Sequence, residues 1–177
     1  GLGDVYKRQS VGSLSNLNAV INHEGLRQHH EQDLPHIRFC GKVAQRQRQY
    51  NRHWLREQPA GSWIDRIPPW DEVANRPEVV SCLIDQCMGV CKDDYGVPVR
   101  KRTEWKGSDE ALLVTLRTMQ CDGSHEHAHP TGKQLAKLRH YPSGVCNAVA
   151  DGIIALKQQL TLHSSTAGLQ CGLCSDV

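Results

Sequence analysis

The stretch Val79-Val80-Ser81-Cys82-Leu83-Ile84 is a nearly continuous apolar run of the length of a β-strand. Runs of this kind are typical of strands that are covered on both faces, as in parallel sheets. Strands and helices are predicted to alternate along the chain, which indicates an α/β fold that contains part of a parallel sheet. The other segments with strand or helix periodicity lie at 34–50, 53–57, 102–105, 108–119 and 143–159.

The composition is that of a globular domain of ordinary size. The chain has 177 residues, of which 38% are hydrophobic and 23% charged, and its formal net charge of +2 does not by itself indicate a nucleic-acid partner. No apolar run has the length of a membrane span and no secretory signal is visible, so we predict no membrane association. The cysteines are irregularly spaced and several lie in apolar runs, which favours free thiols and an intracellular compartment, cytoplasmic or nuclear.

The chain begins with Gly1-Leu2-Gly3-Asp4-Val5-Tyr6-Lys7-Arg8-Gln9, which has no hydrophobic period. This segment resembles the in-frame translation of a transposase adapter used to build sequencing libraries, and such segments are excluded from fold reasoning. The alternative is a native, polar, frayed N-terminus. We predict an artefactual segment at 1–9, a truncated α/β domain at 10–160, and a flexible tail or linker at 161–177.

A segment rich in metal-binding residue types follows the predicted helix at 108–119. It is Cys121-Asp122-Gly123-Ser124-His125-Glu126-His127-Ala128-His129, and Cys and His are the natural ligands of zinc, which takes four of them in a structural site. A further ligand can come from Cys87-Met88-Gly89-Val90-Cys91, although the separation is longer than in a zinc finger. The alternative is a solvated, His-rich turn. The predicted zinc ligands are Cys87, Cys121, His125 and His127, with Cys91 and His129 as alternatives.

Two further segments carry charged groups that can act on a ligand. Glu57 begins the loop 57–63 after a predicted strand, and in open α/β sheets ligands gather beyond the carboxyl ends of the strands. A carboxyl group whose pKa is raised by desolvation can give or take a proton there, and the alternative is an exposed surface turn. The basic run Val99-Arg100-Lys101-Arg102-Thr103 can contact phosphate, and the alternative is a solvated charge run. Cys171-Gly172-Leu173-Cys174 has no second cysteine pair and is not predicted to be a site.

Several segments occur in the same order as in a known family. They are Ser13-Leu14-Ser15-Asn16-Leu17-Asn18, Arg52-His53-Trp54-Leu55-Arg56-Glu57-Gln58-Pro59, Asp85-Gln86-Cys87-Met88-Gly89, Lys101-Arg102-Thr103, Cys121-Asp122-Gly123-Ser124-His125-Glu126-His127 and Tyr141-Pro142. Together they resemble the methyltransferase-like domain in polyproteins of retroelements and related mobile elements, especially of dinoflagellates and other algae. That domain is similar to class I, S-adenosylmethionine-dependent DNA methyltransferases of the cytosine-C5 type.

The resemblance implies a fold and an activity. The fold is an incomplete Rossmann-like three-layer sandwich, the C-terminal part of a class I methyltransferase-like sheet, with an irregular Cys/His-rich insertion. In the family, a Pro-Pro-Cys-type segment with the nucleophilic cysteine precedes the segment that matches 13–18, and the glycine-rich strand that binds S-adenosylmethionine lies earlier still. The chain is therefore expected to be a fragment of a DNA cytosine methyltransferase-like domain, inactive alone, whose partner is the missing N-terminal half.

Some site residues can be carried over from the family. Glu57 matches the family's Glu-x-Pro, and in cytosine-C5 enzymes this glutamate holds and protonates the base. Arg100, Lys101 and Arg102 lie near a basic motif that contacts nucleic acid in the true methyltransferases, which implies DNA as a partner. Two alternatives stay open: a non-catalytic, zinc-stabilised structural or nucleic-acid-binding module, and a decayed reading frame that need not fold stably.

The chain also departs from the family's pattern. Gln58 stands where the family usually has His or Asn, Arg102 stands where a Pro is expected, and Lys106-Gly107-Ser108 replaces an Asn-Ser segment. These departures bear on the residues that follow Glu57 and on the basic motif.

Overall fold

The computed structural model describes residues 23–129, 138 and 140–170, and side chains within 31–129, 138 and 140–164. The predicted adapter-like segment at 1–9 and the Cys-x-x-Cys pair at 171–174 lie outside the described residues. In chain order the helices and strands are α1 (His23–Gln49), β1 (Leu55–Pro59), α2 (Trp70–Ala74), β2 (Val80–Asp85), β3 (Arg102–Gly107) and α3 (Ser143–Gln170), with 3₁₀ turns at Ile64–Arg66, Gln86–Gly89, Glu110–Leu113 and Leu116–Thr118.

The three strands form one sheet in the order β1-β3-β2. Both outer strands pair antiparallel with β3, so that Gly107 at the end of β3 lies opposite both Leu55 of β1 and Val80 of β2. Because β1 and β2 are both antiparallel to β3, they run in the same direction. The carboxyl ends of β1 and β2 and the start of β3 therefore lie at one edge of the sheet, which we call the site edge.

The mixed α/β class is confirmed, but the prediction of parallel pairing is wrong for the described strands. The segment 86–101 between β2 and β3 contains no crossover helix, and neighbouring parallel strands need such a crossover. The apolar run 79–84 is also not covered on both faces, because Cys82 and Ile84 are buried whereas Leu83 is 41% exposed. A complete three-layer sandwich is not seen in the described ranges.

The main core lies between the covered face of the sheet, the 3₁₀ turns after β3, and α3. Where α3 comes closest to these turns, a Cβ atom on Gly152 would lie 2.4 Å from the carbonyl oxygen of Leu112. Only glycine therefore allows the helix to pack at this distance. The buried core residues are Cys82, Ile84, Trp105, Leu113, Leu116, Met119, Val145 and Ala148.

α3 is longer than the predicted helix at 143–159, because it continues to Gln170. Residues 161–170, predicted as part of a flexible tail, are helical. The hydroxyl groups of Thr161 and Ser164 donate hydrogen bonds to the carbonyl oxygens of Lys157 and Leu160, each at 2.9 Å. Such bonds within the helix accommodate a Ser/Thr-rich sequence that otherwise resembles a linker.

The segment 108–119 forms two 3₁₀ turns instead of the predicted α-helix. The first turn is capped by Asp109, whose side chain accepts a hydrogen bond from the N–H of Ala111 at 2.9 Å, and not by the predicted cap Ser108. The Ser108 hydroxyl oxygen instead accepts the N–H of Trp54 at 3.0 Å. This bond connects the end of β3 to the residue before β1.

A second buried cluster joins α1, α2 and the start of β1. The indole N–H of Trp70 donates to the carbonyl oxygen of Ile37 at 3.0 Å, and the rings of Trp54 and Trp70 pack edge to face at 5.6 Å. α1 begins at His23 and not at the predicted position near 34, so Pro35 lies inside the helix. No helix in the described ranges is both long enough and apolar enough to cross a bilayer. The cluster consists of Ala44, Trp54, Ile64, Trp70, Val73 and Ala74.

Candidate metal centre

The predicted zinc ligands Cys87, Cys121, His125 and His127 come together beside the site edge. One ligand atom from each side chain lies within 4.8 Å of the corresponding atoms of the other three, and this group can hold a metal ion. Cys87 lies in the 3₁₀ turn directly after β2, and the other three lie in the loop after Met119. The alternative ligands Cys91 and His129 are not members of the group.

The distances within the cluster resemble those of a tetrahedral site. The Sγ of Cys121 lies 3.7 Å from Nε2 of His125 and 3.5 Å from Nε2 of His127. For a tetrahedron with Zn–S about 2.3 Å and Zn–N about 2.0 Å, neighbouring S and N ligands are about 3.5 Å apart. These two pairs therefore already have the spacing of ligands at one ion, and the other pairs lie within 4.8 Å.

Local hydrogen bonds fold the loop so that the histidines turn back towards Cys121. The carboxylate of Asp122 accepts the N–H of Ser124 at 2.9 Å, and Gly123 adopts a left-handed conformation with φ of 80°. The N–H of Gly123 points at the sulfur of Cys121, at 3.3 Å. Further along, the N–H of Ala128 donates to the carbonyl oxygen of Pro98 at 2.8 Å and attaches the end of the loop to the segment before β3.

The protonation states in the cluster suit metal binding that displaces protons. Burial raises the pKa of the Cys87 thiol, and the neighbouring Cys121 raises it further. Desolvation lowers the pKa of His127, and the electrostatic influence of the neighbouring His125 acts in the same direction. Neutral imidazole is the form that binds a metal, whereas a thiol must lose its proton to do so. A metal ion at this site would therefore compete with a proton for Cys87.

Asp85, at the end of β2, is completely buried and binds both arginines of the predicted basic motif. It accepts two hydrogen bonds from Arg102, both at 2.9 Å, one from Nε of Arg100 at 3.1 Å, and one from the backbone N–H of Cys121 at 3.1 Å. Burial acts to raise the pKa of this carboxyl group, but the hydrogen bonds from Arg102, Arg100 and Cys121 outweigh it and hold the pKa well below its usual range. The arginine side chains remain 40% and 45% exposed.

Lys101 projects away from the two arginines. Its Nζ donates to the carbonyl oxygen of Leu138 at 3.4 Å and lies 5.7 Å from the centre of the Tyr141 ring. The predicted basic motif is therefore divided: Arg100 and Arg102 lie beside the metal cluster, and Lys101 lies beside Glu57 and Tyr141.

Glu57 faces the core side of β1, opposite Trp105 in the sheet. Its carboxylate accepts a hydrogen bond from the hydroxyl of Tyr141 at 2.6 Å. Burial raises the pKa of Glu57, although the Tyr141 hydrogen bond and the charge of Lys101 act to lower it. Nearby on the sheet, Thr103 is completely buried and its hydroxyl has no hydrogen-bond partner in the described part of the chain.

Two residues at the site edge were missed by the sequence reasoning. Asp85 directly follows the apolar run 79–84, so the rule about strand ends that selected Glu57 would have selected it too. Tyr141 is separated from Glu57 by more than half of the described chain, and its sequence context gives no sign of the contact.

The comparisons with known proteins identify no relative. No protein-family model matches the chain, and no characterised protein or solved structure shows significant similarity to it.

Proposed function

We propose that this chain is a zinc-stabilised, DNA-binding module in which Cys87, Cys121, His125 and His127 hold a structural zinc ion. The observation that carries the proposal is the approach of all four ligand atoms to within 4.8 Å of one another. Two thiolates and two imidazoles are a common ligand set of structural zinc, and they leave no open position for catalysis.

The role of the ion is to attach the loop 121–127 to the end of β2. Cys87 belongs to the turn after that strand, and the loop is otherwise held to it by hydrogen bonds such as that from Cys121 to Asp85. Structural zinc sites contribute directly to folding free energy, because the unfolded chain does not present a preformed site.

Metal content tests the zinc proposal. The full chain, purified without a metal-chelating tag, should contain zinc in equimolar amount by inductively coupled plasma mass spectrometry. Cys121→Ser should lose it, whereas Cys146→Ser is the matched control, because Cys146 is exposed and outside the cluster. Protein that is free of metal after purification and does not take up added zinc would contradict the proposal.

DNA is the proposed partner because two half-exposed arginines lie next to the metal cluster. Arg100 and Arg102 bring two positive charges to one buried carboxylate, so this group of three side chains carries a net positive charge. Planar guanidinium groups bind phosphate well, and such contacts give binding that weakens as salt increases. Substituting both arginines with alanine should reduce the salt dependence of DNA binding by about one unit of slope for each lost contact.

The second candidate function is a methyltransferase-like fragment, and Glu57 is the observation that favours it. The residue lies near the carboxyl end of β1, its pKa is raised by burial, and it accepts a short hydrogen bond from Tyr141. A carboxyl group of this kind can hold and protonate a base, which is the role implied by the resemblance. An antiparallel strand between two strands of the same direction is also compatible with one end of a larger mixed sheet.

The described residues do not fit S-adenosylmethionine. β1 and β2 lead into 3₁₀ turns at Ile64–Arg66 and Gln86–Gly89, and neither leads into a glycine-rich turn at the start of a long helix. Under this candidate function, the upstream residues that the resemblance implies would bind the methyl donor and supply the nucleophilic cysteine. Sequencing the coding region upstream tests it: a Pro-Pro-Cys segment preceded by a glycine-rich strand would support it, and unrelated sequence would exclude it.

A further inference from the structure

A single carboxylate connects the candidate metal centre to the two arginines. Oδ2 of Asp85 accepts the N–H of Cys121 and one nitrogen of Arg102, while Oδ1 accepts Nε of Arg102 and Nε of Arg100. In the sequence, Asp85 also lies two residues before the ligand Cys87. Both cysteine ligands are therefore attached to the residue that holds the arginines.

We propose that Asp85 is a positioning residue that makes DNA-backbone binding by Arg100 and Arg102 depend on the metal. The inference rests on the zinc site and the DNA partner proposed above. A bound ion would hold Cys87, two residues after Asp85, against Cys121, whose N–H donates to Asp85, so that the carboxylate has one position and the guanidinium groups have one arrangement. In the metal-free chain these contacts are free to open, and the arginines lose the order that a phosphate contact requires.

The coupling acts through position and not through net charge. Any effect of the metal's own charge on the attraction of DNA would be the same in the wild type and in Asp85→Asn. A difference between the two proteins in the metal dependence of DNA affinity would therefore report the arrangement of the arginines, which is geometrically specific for bidentate contacts.

Reciprocity gives the sharpest test. If zinc raises the affinity for DNA by some factor, DNA must raise the affinity for zinc by the same factor. The first factor is measured by fluorescence anisotropy of a short labelled DNA duplex with zinc-loaded and metal-free full-length chain. The second is measured by competition with a chromophoric zinc chelator, with and without the duplex. We expect both factors to be on the order of five to ten.

Asp85→Asn separates the role of Asp85 from that of the metal. The amide has nearly the same shape and still accepts the N–H of Cys121, but it loses the charge-assisted bonds to the arginines. The variant should keep its zinc, and both factors should fall towards one. Its extra positive charge strengthens DNA binding in both metal states, so only the ratio is diagnostic. Lys157→Ala, on the exposed surface of α3, is the control that removes a charge and leaves the ratio unchanged.

Each outcome points to one part of the reasoning. Absence of zinc overturns the metal site, and zinc without DNA binding overturns the partner. Zinc and DNA binding with a ratio of one overturns the coupling, and a large ratio that persists in Asp85→Asn overturns the role of Asp85. If the metal-free chain shows no cooperative unfolding transition, it is not folded and cannot be compared with the zinc-loaded protein. In that case the DNA affinities of Asp85→Asn, Arg102→Ala and the double variant are measured with zinc bound. Additive effects of the two substitutions would reject the inference.

Discussion

Removing one ligand of the proposed zinc ion should cost the protein the stability that comes from metal binding to the folded chain. The ion would join Cys87 to the loop that contains Cys121, and the unfolded chain presents no preformed site for it. A metal that binds only the folded state, at a free concentration roughly 1,000 times its dissociation constant, adds about 4 kcal/mol to the free energy of unfolding. The substitution Cys121→Ser should therefore lower the free energy of unfolding by up to about this amount when zinc is present.

The measurement compares denaturant unfolding of the wild type and Cys121→Ser with excess zinc and with excess chelator. For a ligand that binds only the folded state, each tenfold increase in free zinc above the dissociation constant adds about 1.4 kcal/mol to wild-type stability. The variant should not respond to zinc, and with chelator the two proteins should have similar stability, because a serine replaces only the partly buried thiol.

The control is Cys146→Ser, which should respond to zinc as the wild type does. Two results would refute the reasoning: a wild type whose stability is independent of zinc, or a Cys121→Ser variant that responds equally. A large loss of stability in the variant under chelator as well would mean that the thiol contributes through packing and not through a metal.

Three further predictions address the core and Glu57. Gly152→Ala should destabilise the chain by about 1–3 kcal/mol in denaturant unfolding, because the clash is with the backbone of Leu112 and no side-chain rotation relieves it; unchanged stability would mean that α3 does not pack at this distance. Ile84→Ala should cost about 2–5 kcal/mol whereas Leu83→Ala should change the same free energy by less than about 0.5 kcal/mol, since only one face of β2 is covered; equal losses would indicate a second covering layer. Burial raises the pKa of Glu57 in the folded state, so the folded chain binds more protons at this residue than the unfolded chain does. The free energy of unfolding of the wild type should therefore fall as pH rises from the unfolded pKa through the folded pKa, and Glu57→Gln should remove this part of the pH profile. An identical profile in the variant would show that the pKa of Glu57 is not perturbed.

The candidate metal ligands were predictable from the sequence because their chemistry is carried by residue type. Cys121, His125 and His127 are close in sequence, and few residue types besides Cys and His make good zinc ligands. The choice of Cys87 over Cys91 depends on the turn after β2, which sends one sulfur towards the loop and buries the other. From the sequence alone both cysteines were possible ligands, because a 3₁₀ turn has no clear apolar period that would show which side chain is buried.

The parallel sheet was predicted wrongly because an apolar run does not report strand direction. Val80, Cys82 and Ile84 face the core, but Leu83 is also apolar while facing solvent, so the run looks as if it were buried on both sides. Direction is set instead by the connection to β3, whose middle position in the sheet is a long-range feature. The prediction of an α-helix at 108–119 was wrong for a related reason, because the leucine spacing there fits both an α-helix and two successive 3₁₀ turns.

The arrangement of the strands explains why Arg100 and Arg102 lie beside the metal loop although the predicted sheet was wrong. The rule that ligands gather at the carboxyl ends of strands needs only that those ends share an edge. β1 and β2 both pair antiparallel with β3, so their ends coincide, and the start of β3 falls between them. This arrangement places Glu57 from β1, Asp85 from β2 and Arg102 from β3 at one edge. Arg102 at the start of β3 lies opposite Asp85 at the end of β2, and this contact joins the basic motif to the metal loop. If β3 ran parallel to its neighbours, Arg102 would lie at the opposite end of the sheet.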